Sequence, residues 1–236
     1  MPESKFSLAE TPADIFEIAT GFMKAKYLFV ADEIGLFEAL VGGPATLDEL
    51  APRLDVPRRT LRILADALIT LGLLTRHGDS YQNSPAAQGF LGGGSPLDLR
   101  PFLRFWDHLS YREWLSFASA VRTGEPPSKG KAPSEEDEAI YLAGIEAIGA
   151  ACANSLLAVY DFSPHRRVLE IGGWNMVFLA PLFQRYANLE ATLLTMPQFV
   201  EKARAKLAHD PYAARVQIVE GDYLFDPFPP GHDVIS

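Results

Sequence analysis

Apolar residues recur at three- and four-residue spacing through the first part of the chain, and this spacing predicts an N-terminal helical region. Thr11 followed by Pro12 is typical of a helix start, because a capping hydroxyl precedes a proline in the first turn. The apolar stripe consists of Ile15, Ile18, Phe22, Tyr27, Val30, Ile34 and Phe37. Two glycines and a proline at 42–44 end this segment.

Two shorter helices and a turn come next. Thr46 and Glu49 form a capping-box pattern for the first helix. Pro57 begins the second, which carries leucines at three- and four-residue spacing. A Gly-Asp pair at 78–79 predicts a turn between two extended stretches. Helix, turn, helix and β-wing together predict a mainly α winged-helix domain within residues 1–100.

The rest of the chain has two different patterns. Residues 101–163 combine an aromatic-rich helix, a polar proline-rich connector and a long alanine-rich helix, and we expect them to link the domains and line a pocket. After Pro164, short apolar strands alternate with helices, the first of which is expected to include Asn175, and this alternation predicts a parallel sheet. Because the sequence supplies about four strands, residues 164–236 are interpreted as a partial α/β Rossmann-like domain.

Composition and charge narrow the functional classes. The chain is 48% hydrophobic and 22% charged, which is ordinary for a globular protein, and its net charge of -9 argues against binding to nucleic acid or to an anionic membrane. Cys152 is the only cysteine, which favours a reducing compartment. No secretory signal and no run of 18 apolar residues is evident, so a cytoplasmic protein is expected. One cysteine and five dispersed histidines give no metal-site spacing.

The stretch EIGGWNMVF stands where a strand passes into a helix. Glycine-rich loops at such places bind nucleotide cofactors, because glycines let the backbone approach the ligand at a helix N-terminus. Gly172 is the first glycine of a G-x-G-x-G pattern and Gly173 fills a permissive position, but Trp174 and Met176 replace the other two glycines. At the end of the next strand, Thr195 stands where an acidic residue would bind ribose hydroxyls, and it lacks the charge that strengthens such a bond. The pattern predicts an eroded cofactor loop.

The order of the segments is more specific than the loop alone. A winged-helix unit precedes AVRTGEP, VLEIGG, ATLLTMPQFVEKA and VEGDYLFDPFP. From about Phe16 to Ser236, this succession resembles the S-adenosylmethionine-dependent O-methyltransferases of the plant caffeate and bacterial polyketide-tailoring type. The resemblance implies methyl transfer to a hydroxyl of a small aromatic or polyketide-like molecule, and an N-terminal unit that dimerises and closes the pocket. It also places the general-base histidine beyond Ser236, so we expect no catalytic residue in this chain and no activity from it alone.

The resemblance also assigns binding residues. Glu170 and Gly172 would support the amino-acid end of the cofactor, and Thr195 takes the ribose position. Asp222 and Tyr223 take the adenine position, although Asp222 could equally be a simple turn residue. The substrate pocket would be lined by Trp106, His108 and Tyr111. Because the substitutions in the loop and at the second strand all fall on cofactor positions, we expect weak or no binding of S-adenosylmethionine.

Three interpretations stay open. The first is an O-methyltransferase represented by a partial chain with a modified loop, and the second is a non-catalytic subunit that pairs with another chain. The third is a winged-helix regulator with a degenerate ligand-sensing domain, suggested by the basic cluster Arg53, Arg58, Arg59 and Arg62. The acidic balance counts against the third. We expect a homodimer or heterodimer through the N-terminal helices, and a second chain that completes the sheet.

Overall fold

The computed structural model of the chain describes residues 9–95, 97–125 and 134–236. The chain divides into two compact units, Met1–Gly144 and Ile145–Ser236. Residues 126–133 of the expected connector lie outside the described residues. The long alanine-rich helix begins in the first unit and ends in the second, and each unit is taken by itself below.

The first unit is mainly helical, with a small sheet. Its helices are α1 (Pro12–Glu33), α2 (Leu36–Ala39), α3 (Leu47–Leu54), α4 (Arg58–Thr70), α5 (Pro85–Phe90), α6 (Arg100–Arg104), a π-helix (Phe105–Ser110), α7 (Tyr111–Trp114), α8 (Phe117–Thr123) and the start of α9 (Glu135–Val159). Strands β1 (Ala45–Thr46), β2 (Leu74–His77) and β3 (Ser80–Asn83) form an antiparallel sheet in the order β1-β3-β2. The core packs leucines of α2, α3 and α4 against Phe37 and Tyr81. This arrangement confirms the predicted helical domain with a β-wing.

Local capping explains where two of these helices begin. The Thr11 side chain accepts a hydrogen bond from the Asp14 amide, and the Asp14 carboxylate accepts one from the Thr11 amide at 2.8 Å. Thr46 and Glu49 make the same reciprocal pair at the start of α3. Each pair satisfies amide groups that a helix N-terminus leaves without an intrahelical partner. The predicted helix starts are confirmed at both positions.

The aromatic segment differs from the single helix that its pattern predicts. It contains a π-helix over Phe105–Ser110 and a break between α7 and α8. Phe105 packs where α9 has Gly144, since a Cβ on that glycine would lie 2.5 Å from the Phe105 Cβ. Trp106 meets the Phe105 ring edge-on, with centroids 5.5 Å apart. A π-turn adds one residue to the helical turn and so changes the direction of the side chains that follow it. The apolar periodicity of the segment does not show that one of these side chains packs against a distant glycine.

The second unit contains a parallel sheet with helices between its strands. Its elements are the rest of α9, β4 (Arg167–Ile171), α10 (Leu179–Arg185), β5 (Glu190–Thr195), α11 (Pro197–Leu207), a 3₁₀ turn (Ala213–Arg215), β6 (Val216–Glu220) and β7 (Val234–Ile235). The strand order is β6-β5-β4-β7, with every neighbouring pair parallel. This confirms the predicted α/β alternation and its Rossmann-like sheet. Val168, Leu179, Leu182 and Phe183 lie at the centre of the core.

The start of α10 was predicted too early. The helix begins at Leu179 rather than near Asn175. Residues 174–178 form a loop instead, in which the Asn175 side chain accepts a hydrogen bond from the Val177 amide at 3.2 Å. Such a local side-chain bond competes with helix formation. Two large side chains of this loop, Trp174 and Met176, are buried. Their burial takes the place of the first turn of the expected helix.

Helix α9 has an unusually apolar composition among the described helices. Within the described part of the chain it is long and apolar enough to cross a bilayer by length and composition, with a mean hydropathy of 1.6. Between Ala139 and Val159, Glu146 is the only charged residue of this helix. In the structure Glu146 pairs with Lys206 at 3.3 Å, and Ala153 is fully buried in the core of the second unit. Part of the apolar character of α9 therefore has a packing explanation within the chain, while most of its surface is left uncovered.

Candidate functional site

The carboxyl ends of β4, β5 and β6 meet at one edge of the sheet, where open parallel sheets bind ligands. Gly172 continues the ladder beyond β4, because its amide donates to the Leu194 carbonyl at 2.8 Å. The Gly221 amide donates to the Thr195 carbonyl at 3.1 Å, which brings the turn after β6 to the same edge. Four of the predicted cofactor residues therefore share one edge, and Tyr223 follows in the same turn.

Glu170 is a buried carboxyl group on β4. It is paired in register with Leu193 of β5, so both side chains lie on the same face of the sheet. Its Oε2 atom has no hydrogen-bond partner among the described residues, and burial raises the pKa of the carboxyl from 4.5 to about 8. At pH 7 the neutral acid therefore predominates. In that form Glu170 offers no charge to the ammonium group of a cofactor.

The two glycines after β4 have separate structural roles. A Cβ on Gly173 would lie 2.5 Å from Glu170 Oε1 and 2.6 Å from Leu193 Cδ1, so only glycine fits there without displacing its neighbours. Gly172 has a φ of +77°, and a Cβ there would lie 3.4 Å from the ring of Tyr223. The space beside Gly172, which a cofactor would approach, is thus taken by the chain's own tyrosine. Sequence reading missed both contacts, since each depends on a side chain from elsewhere.

Trp174 and Met176 both point into the protein. The Trp174 ring is buried, with Nζ of Lys202 and of Lys206 at 4.7 and 5.7 Å from its centroid, in cation–π contact with α11. Met176 packs into the core with Leu179 of α10. Neither residue leaves the loop as open as glycines would.

Thr195 is completely buried at the end of β5, and its Oγ1 atom has no partner among the residues described. A buried hydroxyl without a hydrogen bond costs roughly 1–3 kcal/mol. Helix α11 begins just after it, and Met196 at the N-cap supplies no side-chain hydrogen bond. The position thus has an unmatched polar atom, but no charge and no access from solvent.

Asp222 acts within its own turn. Its Oδ1 atom accepts a hydrogen bond from the Leu224 amide at 3.0 Å, and its amide donates to Asp226 Oδ2 at 2.7 Å. These bonds account for an aspartate at this place without a ligand. The adenine role assigned to Asp222 and Tyr223 stays a prediction.

The three predicted substrate-pocket residues lie in two different cavities of the first unit. Trp106 and Tyr111 line an apolar groove of about 440 Å³, together with Phe22, Phe29, Phe102 and Trp114. His108 lines a separate cavity of about 330 Å³, whose charged residues are Asp32, Glu33, Arg104, Asp107 and Glu136. The aromatic pair therefore shares a surface suited to a planar apolar group, and the histidine does not belong to it.

The acidic cavity contains a buried aspartate that sequence reading missed. Burial raises the pKa of Asp32, and Arg104 at 3.5 Å opposes that rise. The apolar periodicity of α1 made this position look like one more helix-surface residue, so no signal in the sequence distinguished it.

Two further histidines, His165 and His232, make local contacts. His165 Nε2 lies 2.7 Å from the hydroxyl of Tyr160, on the surface. His232 bridges the Pro229 carbonyl at 2.9 Å and Thr192 Oγ1 at 2.8 Å. Within the described ranges, no group of three or more His, Cys, Asp or Glu residues could hold a metal ion.

The residues at the sheet edge do not fit S-adenosylmethionine in this arrangement. The ribose position has a buried threonine, the carboxyl group of Glu170 is neutral at pH 7, and the Tyr223 ring covers Gly172. On β4 and β5, the polar groups that would meet the cofactor are buried or uncharged. Binding would require the loop after β4 to move.

Comparisons with known proteins match both units. A family model described as an O-methyltransferase dimerisation domain matches residues 16–93, and one described as an O-methyltransferase domain matches residues 115–236. The 3-hydroxy-5-methyl-1-naphthoate 3-O-methyltransferase of Streptomyces sahachiroi is 29% identical over 95% of this chain and 67% of its own. The acetylserotonin O-methyltransferase of Mus musculus molossinus is 30% identical over 92% of this chain and 62% of its own.

A solved structure extends the likeness to the fold. CalO1, a methyltransferase in calicheamicin biosynthesis determined in its SAH-bound form, superimposes with a TM-score of 0.79 at 26% identity. The match covers 94% of this chain and 68% of that one. The chain thus spans roughly two thirds of the length of the relatives that it matches.

Proposed function

Because this chain belongs to the O-methyltransferase family, with a dimerisation domain ahead of an α/β methyltransferase domain, we propose that it is a small-molecule O-methyltransferase with a weakened cofactor site. The proposed acceptor is a hydroxyl on an aromatic or polyketide-like molecule, and the proposed location is the cytoplasm. Relatives named for naphthoate and tetracenomycin methylation support that substrate class. The apolar groove with Trp106 and Tyr111 supports a planar acceptor.

The observation that carries the proposal is the filled edge of the sheet. Trp174 and Met176 are buried where the family pattern has glycines, and Thr195 is buried where it has a carboxylate. Loss of a charged hydrogen bond weakens binding by about 1.5–3 kcal/mol, or roughly 10- to 100-fold. Displacing packed side chains adds to that cost.

The residues present define what the site would do with its cofactor. S-adenosylmethionine, when bound, supplies the methyl group. Glu170 and Gly172 would hold its amino-acid end, Thr195 would offer one hydroxyl to the ribose, and Tyr223 would have to leave Gly172.

Calorimetry tests the proposal on the chain as it is and on a variant with Trp174→Gly, Met176→Gly and Thr195→Asp. We expect binding that is at least 10-fold tighter in the variant, since it regains a carboxylate and loses two filling side chains. Thr75→Asp, at an exposed strand position of the first unit, is the control for an added charge and should change nothing. Micromolar binding by the unmodified chain at pH 7 would overturn the proposal.

A second candidate function is a non-catalytic subunit. It is favoured by the combination of a filled cofactor edge with an exposed apolar face on α1, which includes Ile15, Phe16 and Ile18. Native mass spectrometry of this chain mixed with a catalytically competent family member would test it. Homodimers alone would count against this role, and mixed dimers would support it.

The regulator interpretation receives less support. The Arg58 guanidinium lies 2.5 Å from Asp48, and Arg62 lies 3.5 Å from Asp66. The Arg53 side chain donates to the Ala39 carbonyl at 2.8 Å. Three of the four arginines in the basic cluster therefore have local partners, which lowers their availability to a phosphate backbone.

A further inference from the structure

Two buried polar atoms in the second unit lack hydrogen-bond partners among the described residues, and both lie near the carboxyl edge of the sheet. They are Glu170 Oε2 on β4 and Thr195 Oγ1 on β5. Glu170 is level with Leu193 in the ladder, and Thr195 lies two residues further on, so all three side chains are on one face. Folded proteins rarely leave such groups unmatched, and two of them on neighbouring strands call for an explanation.

The loop after β4 lies directly on this carboxyl group. A Cβ on Gly173 would be 2.5 Å from Glu170 Oε1, so the backbone of Gly173 and the carboxyl are in close contact. The next residue, Trp174, is buried against Lys202 and Lys206 of α11. The same short segment therefore covers the carboxyl group and holds the indole ring in place.

Charged groups from several elements surround this segment. Lys202 and Lys206 of α11 lie beside the Trp174 ring, Glu146 of α9 and Asp210 line one cavity with Asn175 and Met176, and the titratable Tyr223 ring lies beside Gly172. Lys206 is paired with Glu146. Burial raises the pKa of Glu170 to about 8, so its charge changes within an accessible pH range.

We propose that residues 172–176 form a pH-dependent closure over the carboxyl edge of the sheet. The closure is shut while Glu170 holds its proton and opens when Glu170 ionises. A carboxylate with an unpaired oxygen is far more costly to bury than the neutral acid, so ionisation requires water or a cation to reach it. The segment in contact with the carboxyl is the one that must yield. Gly172 and Gly173 give that segment the backbone freedom to move.

Opening changes the chemistry of the crevice. It uncovers the Glu170 carboxylate, which suits a ligand with an ammonium group. Only this identification of the ligand rests on the proposed function. Since the competent form is the ionised one, the affinity for S-adenosylmethionine should rise with pH by up to about tenfold per pH unit and level off once Glu170 is ionised.

The closure can be measured without any cofactor. Trp106→Phe and Trp114→Phe together leave Trp174 as the only tryptophan of the three. We expect its emission to be blue-shifted and protected from acrylamide at pH 6.5. Between pH 7 and 9.5 the emission should shift to the red and quenching should increase at least threefold, with an unchanged far-UV circular dichroism spectrum.

Two variants in the same background decide the cause. Glu170→Gln cannot ionise and should keep Trp174 protected up to pH 9.5, whereas Glu201→Gln, exposed on α11, should titrate like its parent. Gly173→Ala places a methyl group on the carboxyl and should leave Trp174 accessible already at pH 6.5. An unchanged titration in Glu170→Gln, protection of Trp174 in folded Gly173→Ala, or loss of secondary structure along with the fluorescence change would each overturn the proposal.

Failure of the proposed function has a different signature. If Trp174 titrates as expected but S-adenosylmethionine does not bind at pH 9, the closure stands and the cofactor assignment falls. If binding is present and independent of pH while Trp174 stays protected, the closure falls and the family function stands.

Discussion

At the residue scale, the buried carboxyl of Glu170 makes the unfolding free energy depend on pH. Burial raises its pKa from 4.5 to about 8, so the folded chain keeps a proton that the unfolded chain releases. The stability cost of this carboxyl is therefore absent below pH 4.5, grows as the pH rises, and levels off above about 8. We expect Glu170→Gln to gain roughly 2–5 kcal/mol of unfolding free energy at pH 8, at about 1.4 kcal/mol per pKa unit.

Urea unfolding of the second unit between pH 4.5 and 9 measures this gain. Glu190→Gln is the matched control, because that side chain is exposed at the start of β5 and should show little change. A gain that is equal at pH 5 and pH 8 would contradict a cost from burial of the charge.

At the residue scale, sequence reasoning located the crevice but not its contents. Parallel strand order brings carboxyl ends together, so Glu170 and Thr195 could be assigned to one edge from the alternation and the family resemblance. The contact of Gly173 with the Glu170 carboxyl and the place of Trp174 against α11 could not be predicted. Both depend on side-chain packing between segments that carry no local signal for each other.

At the element scale, alanine substitution of two helix glycines is expected to change stability in opposite directions. Gly144 on α9 has no room, because a Cβ there would lie 2.5 Å from the Phe105 Cβ. A Cβ on Gly21 of α1 would have no atom within 4 Å outside the nearby backbone of its own helix and the adjacent residues. We expect Gly144→Ala to cost roughly 1–3 kcal/mol from overpacking, and Gly21→Ala to gain about 0.5–1 kcal/mol from helix propensity.

Thermal unfolding followed by circular dichroism distinguishes the pair. The two variants make the same chemical change in helices, so each serves as the control for the other. Stabilisation by Gly144→Ala would show that α9 and the π-helix are not in close contact.

An element could be predicted when the contacts that define it join residues close together in the sequence. The helix starts at Thr11 and Thr46 were predictable because a cap uses residues three positions apart. The π-helix at Phe105–Ser110 was not, and its Phe105 packs against Gly144, which is distant in sequence. The start of α10 was misplaced for a similar reason, because burial of Trp174 outweighed the helical pattern.

At the scale of the whole molecule, the family assignment supports a dimer. Ile15, Phe16 and Ile18 on α1 are 62%, 68% and 74% exposed, which is unusual for apolar residues so close together. We expect Phe16→Glu with Ile18→Glu to convert a dimer into a monomer at tens of micromolar, as measured by multi-angle light scattering. Glu17→Gln, between them in sequence, should leave the mass unchanged. A clean monomer of the unmodified chain would refute the prediction.

The order of strands in the sheet has a consequence for how the second unit folds. Strand β4 is made first and is central, with β5 on one side and β7 on the other. Its pairing with β5 spans one helix, whereas Val168 and Leu169 must wait for Val234 and Ile235, which are synthesised much later. One edge of this strand therefore stays open while residues 172–233 are synthesised. Closing so long a loop is slow, and in this interval a nascent chain is most exposed to aggregation and most in need of a chaperone.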